Sequence, residues 1–198
     1  MVSIDSLRSF SATVLLALCL PVPFYMFFVH ALGSLWKRMG RASYAVLWSF
    51  YALCVAAIVI AHGVWGWKAW DWPVWISWTG LFPLAIAAGL AYWTYRTIPA
   101  RTLLAFRQIE SDDERPLIRD GVLGKVRHPR YVMFVLVAAG NFLITGYPLV
   151  LLSLVVIVVA FGAAMRLEER ELRAYFGEEF ERYRREVPAF FPRLRNRS

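Results

Sequence analysis

Five apolar runs divide the chain, separated by segments that carry almost all of its charge. The first covers about Ala12 to Leu32, the second about Tyr44 to Val64, and the third about Val74 to Tyr95. Crossing the hydrocarbon of a bilayer takes roughly 17–25 apolar residues in a helix, so these three predict membrane-spanning helices. Pro21 and Pro23 in the first run predict a kink, and Pro83 lies inside the third. Such breaks are tolerated where neighbouring helices satisfy the freed backbone groups. Two shorter runs follow, Tyr131 to Ile144 and Leu149 to Met165, parted only by Thr145-Gly146-Tyr147-Pro148. They predict a helical hairpin whose first arm barely spans, or starts below the membrane surface. Past Met165 the apolar run stops while helical periodicity continues. Leu167, Leu172, Tyr175 and Phe176 line one side of an extended helix, and Gly177 suits its C-cap. Phe180, Tyr183 and Val187 then mark a second amphipathic stretch ended by Pro188, packed against a cytosolic face. The pattern predicts an all-α integral membrane protein with about five transmembrane helices in a single membrane domain, spans filling 1–98 and a different kind of half filling 99–198.

Composition strengthens this picture. The 198 residues are 59% hydrophobic and 16% aromatic, more apolar surface than a soluble chain of this length can bury. Trp65, Trp67, Trp70, Trp72, Trp75 and Trp78 crowd between the second and third runs and read as an interfacial aromatic belt. A cage for a carbohydrate or quaternary amine is the sharper alternative. Charge sets the orientation. The net charge is +8, and 20 of the 22 Lys and Arg residues fall in three groups on alternate sides of successive spans. That is the positive-inside distribution, with the N-terminus outside and the C-terminus in the cytosol. The same segments hold 12 of the 14 acids, which argues against a nucleic-acid partner. The alternation also favours a retained first span over a cleaved signal peptide. Cys19 and Cys54 lie inside apolar runs without CxxC spacing and read as small buried hydrophobes. No metal site is expected.

Candidate chemistry gathers on the basic side. Pro99 to Arg127 is a long charged segment between spans, where an ordered loop usually carries function. In Arg127-His128-Pro129-Arg130-Tyr131 a loop enters a span, and Pro129 suits a first helical turn. The free N–H groups of that turn favour an anionic group nearby. A basic anchor at the membrane boundary is the plainer reading. Glu168 and Glu169 follow the last span. Adjacent carboxylates on a helix point about 100° apart, so one is expected to face inward and the other solvent, with pairs such as Glu169 and Arg173 on the solvated face.

Taken in order, Gln108, Leu117-Ile118, Gly121, Arg127-His128-Pro129-Arg130-Tyr131, the hairpin, Glu168-Glu169, Tyr175-Phe176-Gly177, Tyr183 and Val187-Pro188 resemble the isoprenylcysteine carboxyl methyltransferase family. Related phospholipid methyltransferases share parts of the pattern. The resemblance covers about Gln108 to Pro192, and the first three spans match only in being spans. It implies transfer of a methyl group from S-adenosyl-L-methionine to a lipophilic acceptor in the bilayer: an isoprenylcysteine-like carboxyl, a lipid amine or a thiol. It also implies that the second half binds the cofactor. By position, contacts would come from Gln108, Arg115, Pro116, Leu117, Ile118 and the site of Leu123, then from His128, Pro129, Arg130, Tyr131 and Glu168. Glu168 would pair with a positive group of the donor, and Leu117, Ile118 and Phe176 would flank its adenine. A carboxylate acceptor needs no general base, whereas an amine or thiol must lose a proton. No catalytic base is therefore named, His128 being the obvious candidate.

Three positions depart from the family pattern. Leu123 stands where a Tyr is usual, losing a hydroxyl donor. Met133 replaces a common Gly, and its bulk would narrow the pocket or a substrate portal. Ala164 stands where prenylcysteine enzymes place an Arg one turn before the glutamate. The nearest guanidinium is Arg166, on another face, which becomes the candidate for the substrate. Two other classes fit parts of the pattern: a sterol-reductase-like enzyme using NADPH, usually longer with more spans, and a non-enzymatic scaffold or transporter with a decayed pocket.

Overall fold

The computed structural model describes residues 4–40, 42–65, 68–98 and 116–192. All regular structure among them is helical. The first apolar run forms α1 (Ile4–Cys19) and α2 (Pro21–Ala31), which join at Leu20 with helical backbone angles and a bend. The break falls at the expected prolines, because Pro21 and Pro23 supply no N–H to the preceding turn. α3 (Gly33–Met39) turns away from α2 at Leu32. α4 (Ala42–Trp65) is the second run, and α5 (Val74–Thr79) with α6 (Leu81–Thr97) is the third. After a 3-10 turn at Gly121–Gly124 come α7 (Pro129–Thr145), α8 (Pro148–Phe176) and α9 (Glu178–Glu186).

Four stretches are long and apolar enough to cross a membrane: Asp5–Ala31, Ala42–Ala61, Val74–Thr97 and Pro148–Phe176. The fifth expected span, α7, has 17 residues, about 25 Å of helix against a hydrocarbon thickness of about 30 Å. Its surroundings explain the shortness. α7 packs against α1, α5, α6 and α8, so protein rather than lipid faces most of it. Its approach to α5 and α6 depends on two glycines. A Cβ added at Gly80 would stand 2.5 Å from the Gly140 carbonyl oxygen, and one at Gly140 would stand 2.8 Å from that of Gly80. Small residues are what let helix backbones come this close.

The hairpin turns at Gly146, whose φ of 72° is left-handed backbone that glycine adopts without strain. Its carbonyl accepts from the Trp70 N–H at 2.8 Å, and Trp70 and Trp72 both set ring edges against Phe142. Among the described side chains of the tryptophan cluster, Trp70 and Trp72 brace the hairpin, Trp70 while still partly exposed, and Trp75 and Trp78 are exposed as interfacial residues would be.

The core of the bundle joins α1, α2, α7 and α8 through Cys19, Met26, Tyr131, Ala138, Ile157, Phe161 and Ala164. A second cluster at the opposite end of the sequence seats the tail. Phe180, Tyr183 and Val187 of the α9 region are buried with Leu117, Leu172 and Phe176 beside them. The tail then folds back to the start of α7, where the Arg127 and His128 N–H groups donate to the Pro188 and Ala189 carbonyls at 2.9 and 3.0 Å.

Candidate active site

Helix length creates the site. α8 has 29 residues, about 43 Å of helix, so its last turns run past the hydrocarbon and bring carboxylates alongside the entrance of α7. His128 sits between two of them. Its Nε2 lies 3.0 Å from Glu169 Oε1, and its Nδ1 lies 3.5 Å from Glu168 Oε2. Glu168 Oε2 also accepts from the Tyr131 hydroxyl at 2.7 Å. The rings form a stack: His128 lies parallel to Tyr131 at 5.2 Å, and Tyr131 lies on Phe161 at 4.4 Å. His128 is 5% exposed, and burial alone would lower its pKa. The bonds to Glu168 and Glu169 outweigh that and push it up to about 9.

Glu169 departs from the expectation of a solvated partner to Arg173. Its side chain is only 14% exposed and bonds Arg127 through Nε at 3.2 Å and Nη2 at 2.9 Å, besides His128. Arg173 pairs with Glu181 instead. The reason is the returning tail. Arg127 also donates to the Arg184 carbonyl at 3.0 Å and to that of Val187, so its guanidinium locks the tail to α8 through Glu169. Arg127 is thus a folded-in brace rather than a membrane anchor. The His128 N–H, expected to be open for an anion, is committed to Ala189.

Glu168, with a side chain 28% exposed, instead opens onto a cavity of about 610 Å³. From the loop and 3-10 turn, Pro116, Leu117, Ile118 and Leu123 line it. From the entrance of α7 come His128, Pro129, Arg130 and Tyr131. Gln108 and Arg115 lie outside the described residues. Leu123 contributes apolar wall, and its carbonyl accepts from the Tyr183 hydroxyl at 2.8 Å. Met133 is buried and is not among the lining residues, so its bulk goes into packing. Ala164 is fully buried in the core cluster, which leaves no room there for a guanidinium. Arg166 is exposed and likewise absent from the lining, so the structure does not bring it to the other candidates.

Comparison with known proteins decides the family. Residues 75–179, more than half of the chain, match the phospholipid methyltransferase family. The chain belongs to that family. It is 36% identical over 77 residues to a protein-S-isoprenylcysteine O-methyltransferase of Schizosaccharomyces pombe, covering 38% of this chain and 33% of the relative. It is 40% identical over 73 residues to a methanethiol S-methyltransferase of Crocosphaera subtropica, covering 37% of this chain and 28% of that one. The matches thus span about a third of these relatives' lengths. No solved structure gives a significant match.

This member of the phospholipid methyltransferase family builds one cavity wall from residues that sequence reasoning left without a role. Met26 and His30 of α2, with Gly33, Ser34 and Lys37 of α3, face the same space as Glu168 and Tyr131. His30 Nδ1 lies 2.7 Å from Glu171 Oε2, two residues past the glutamate pair. The available signal was a histidine late in an otherwise apolar run, which is costly in lipid unless it faces a protein interior.

Proposed function

We propose that this chain is a membrane methyltransferase that binds S-adenosyl-L-methionine in the cavity from the cytosolic side and methylates a lipophilic acceptor arriving laterally between helices. The observation that carries the reading is Glu168. It is a carboxylate steadied by Tyr131 and His128 that still borders a cavity, where a positive group is the natural complement. The residues present fit the donor. The volume is within the range of about 300–1,000 Å³ usual for small-molecule sites. Glu168 suits its cationic groups, Arg130 and Lys37 suit its carboxylate, and Leu117, Ile118, Leu172 and Phe176 offer apolar surface to its adenine.

When bound, that donor supplies an electrophilic methyl group on a sulfonium. The protein's part is to place and to dry. Glu168 holds positive charge at the wall, and its attraction strengthens where water is thin. The stack of His128, Tyr131 and Phe161 keeps Glu168 from swinging away. The packed tail closes the cytosolic flank, and displacement reactions gain most from such positioning and water exclusion. The two relatives are named for an oxygen and a sulfur acceptor respectively, so the family accommodates different nucleophiles.

Donor affinity of variants tests the reading. Glu168→Ala is expected to weaken binding of S-adenosylmethionine about tenfold or more, roughly 1.4 kcal/mol at least. Tyr131→Phe, which removes one bond to that carboxylate, is expected to weaken it less. Wild-type affinity in Glu168→Ala would refute the assignment.

A further inference from the structure

Gly33 opens the short helix α3 and is the one glycine among the described residues that line the cavity. Its backbone does not call for glycine. The φ lies outside the left-handed region, and no main chain of another element comes near. An added Cβ would meet only Glu171 Oε1, at 3.6 Å, an ordinary contact. Gly80 and Gly140 differ, since their backbones touch, and Gly146 differs in its positive φ. Glycine loses more backbone freedom on folding than any other residue, so one without a backbone reason at a cavity wall points to use of the space it leaves. Glu171 keeps that space open, because its Oε2 is held 2.7 Å from His30 Nδ1.

The wall that holds Gly33 also stands apart from the others. Met26, His30, Gly33, Ser34 and Lys37 precede residue 75, where the family match begins, while the remaining lining residues except Phe180 and Tyr183 fall inside the match. The two relatives share methyl transfer and are named for different acceptors. A wall outside the matched segment is where acceptor choice can vary without disturbing the donor. Apart from Lys37, none of these five residues has a part in the donor reading. The wall runs from apolar Met26, 3% exposed, past Gly33 to the exposed Ser34, a profile that suits an amphiphile with its apolar body inward. We propose that Gly33 is a specificity-determining residue, leaving room for a bulky, branched apolar body on the acceptor; this rests on the methyltransferase reading above. That body lies along Met26 and Gly33 while the nucleophile faces the donor. A straight alkyl chain could thread past a methyl group at position 33, whereas a branched body needs the full width.

The test uses the full chain in detergent with S-adenosylmethionine and carboxylate, thiol and amine acceptors, each carrying a methyl, a straight octyl or a branched polyisoprenoid group. Within the nucleophile that wild type methylates, Gly33→Ala, Gly33→Val and Gly33→Leu are expected to raise KM for the branched acceptor in that order. The rise should reach about tenfold or more in Gly33→Leu, with a smaller effect on the methyl acceptor and donor affinity unchanged. Gly89→Leu adds the same bulk to an exposed face of α6 and should behave as wild type. Should Gly33→Leu fail to fold, Gly33→Ala, whose methyl makes only an ordinary contact, still reads the ranking of acceptors. Equal rises for all acceptors, unchanged KM in folded variants, or weakened donor binding in Gly33→Ala would overturn the role of Gly33. A wild type that binds the donor yet prefers the methyl acceptor, or methylates none of the series, would overturn it and leave the donor reading standing. No donor binding would overturn both.

Discussion

Two neighbouring glutamates take opposite parts. Glu168 borders the cavity while Glu169 is absorbed by Arg127 and His128, so replacing them should damage different properties. Removing one partner of a largely buried ion pair costs about 3–5 kcal/mol. Glu169→Ala is accordingly expected to lower thermal stability in detergent by an amount of that order, with detachment of the tail detectable as faster proteolysis near Val187. Unchanged melting would contradict the brace. His128 adds a pH dependence with a definite sign. Its folded pKa is raised to about 9, so its contribution is fully present below about 6.5 and is lost as pH rises through about 9. Melting temperature should fall between those values, and His128→Gln should flatten the fall. That the two side chains diverge was legible from helix geometry, since adjacent residues point about 100° apart. That Glu169 is enclosed rather than solvated was not, because Arg127 is 42 residues away in sequence and reaches it only through the tertiary fold. The same distance hid His30 and Glu171, separated by 141 positions.

At the scale of elements, the apolar runs foretold α1 with α2, α4, α5 with α6, α7 and α8 but not the short α3, and Gly177 and Pro188 foretold where α8 ends and the tail turns. Periodicity is local, and these features depend on local chemistry. Packing is not local. Nothing in the sequence around Gly80 or Gly140 announced that their backbones meet, yet a Cβ added at either would stand less than 3 Å from the other's carbonyl oxygen. Gly80→Ala and Gly140→Ala should each cost about 1–3 kcal/mol through forced separation of α6 and α7, measured as a drop in melting temperature in detergent. Tolerance of alanine at both positions would contradict the observed approach. The shortness of α7 was legible from its apolar run, but its enclosure by α1, α5, α6 and α8 was not. Among the described residues, α2 and α3 also prove to be cavity walls rather than generic spans, a role that family resemblance in the second half could not convey.

For the whole molecule, we propose from the charge distribution and the helix lengths that the cavity lies at the cytosolic end of the bundle. The basic groups around Lys37, Lys125 and the tail then share one side, and Asp71 lies on the other. A membrane-impermeant maleimide added to intact cells should label Asp71→Cys and spare Lys125→Cys, both positions being exposed; the reverse pattern would invert the proposed orientation. Orientation and cavity matter only if the cavity receives a methyl donor. The most direct measurement is calorimetric titration of the detergent-purified chain with S-adenosylmethionine and its demethylated product, with NADPH as control. Saturable, near one-to-one binding of the methyl donor, and none of the nicotinamide dinucleotide, is the result the structure leads us to expect. A folded protein that binds neither, or NADPH alone, would contradict it.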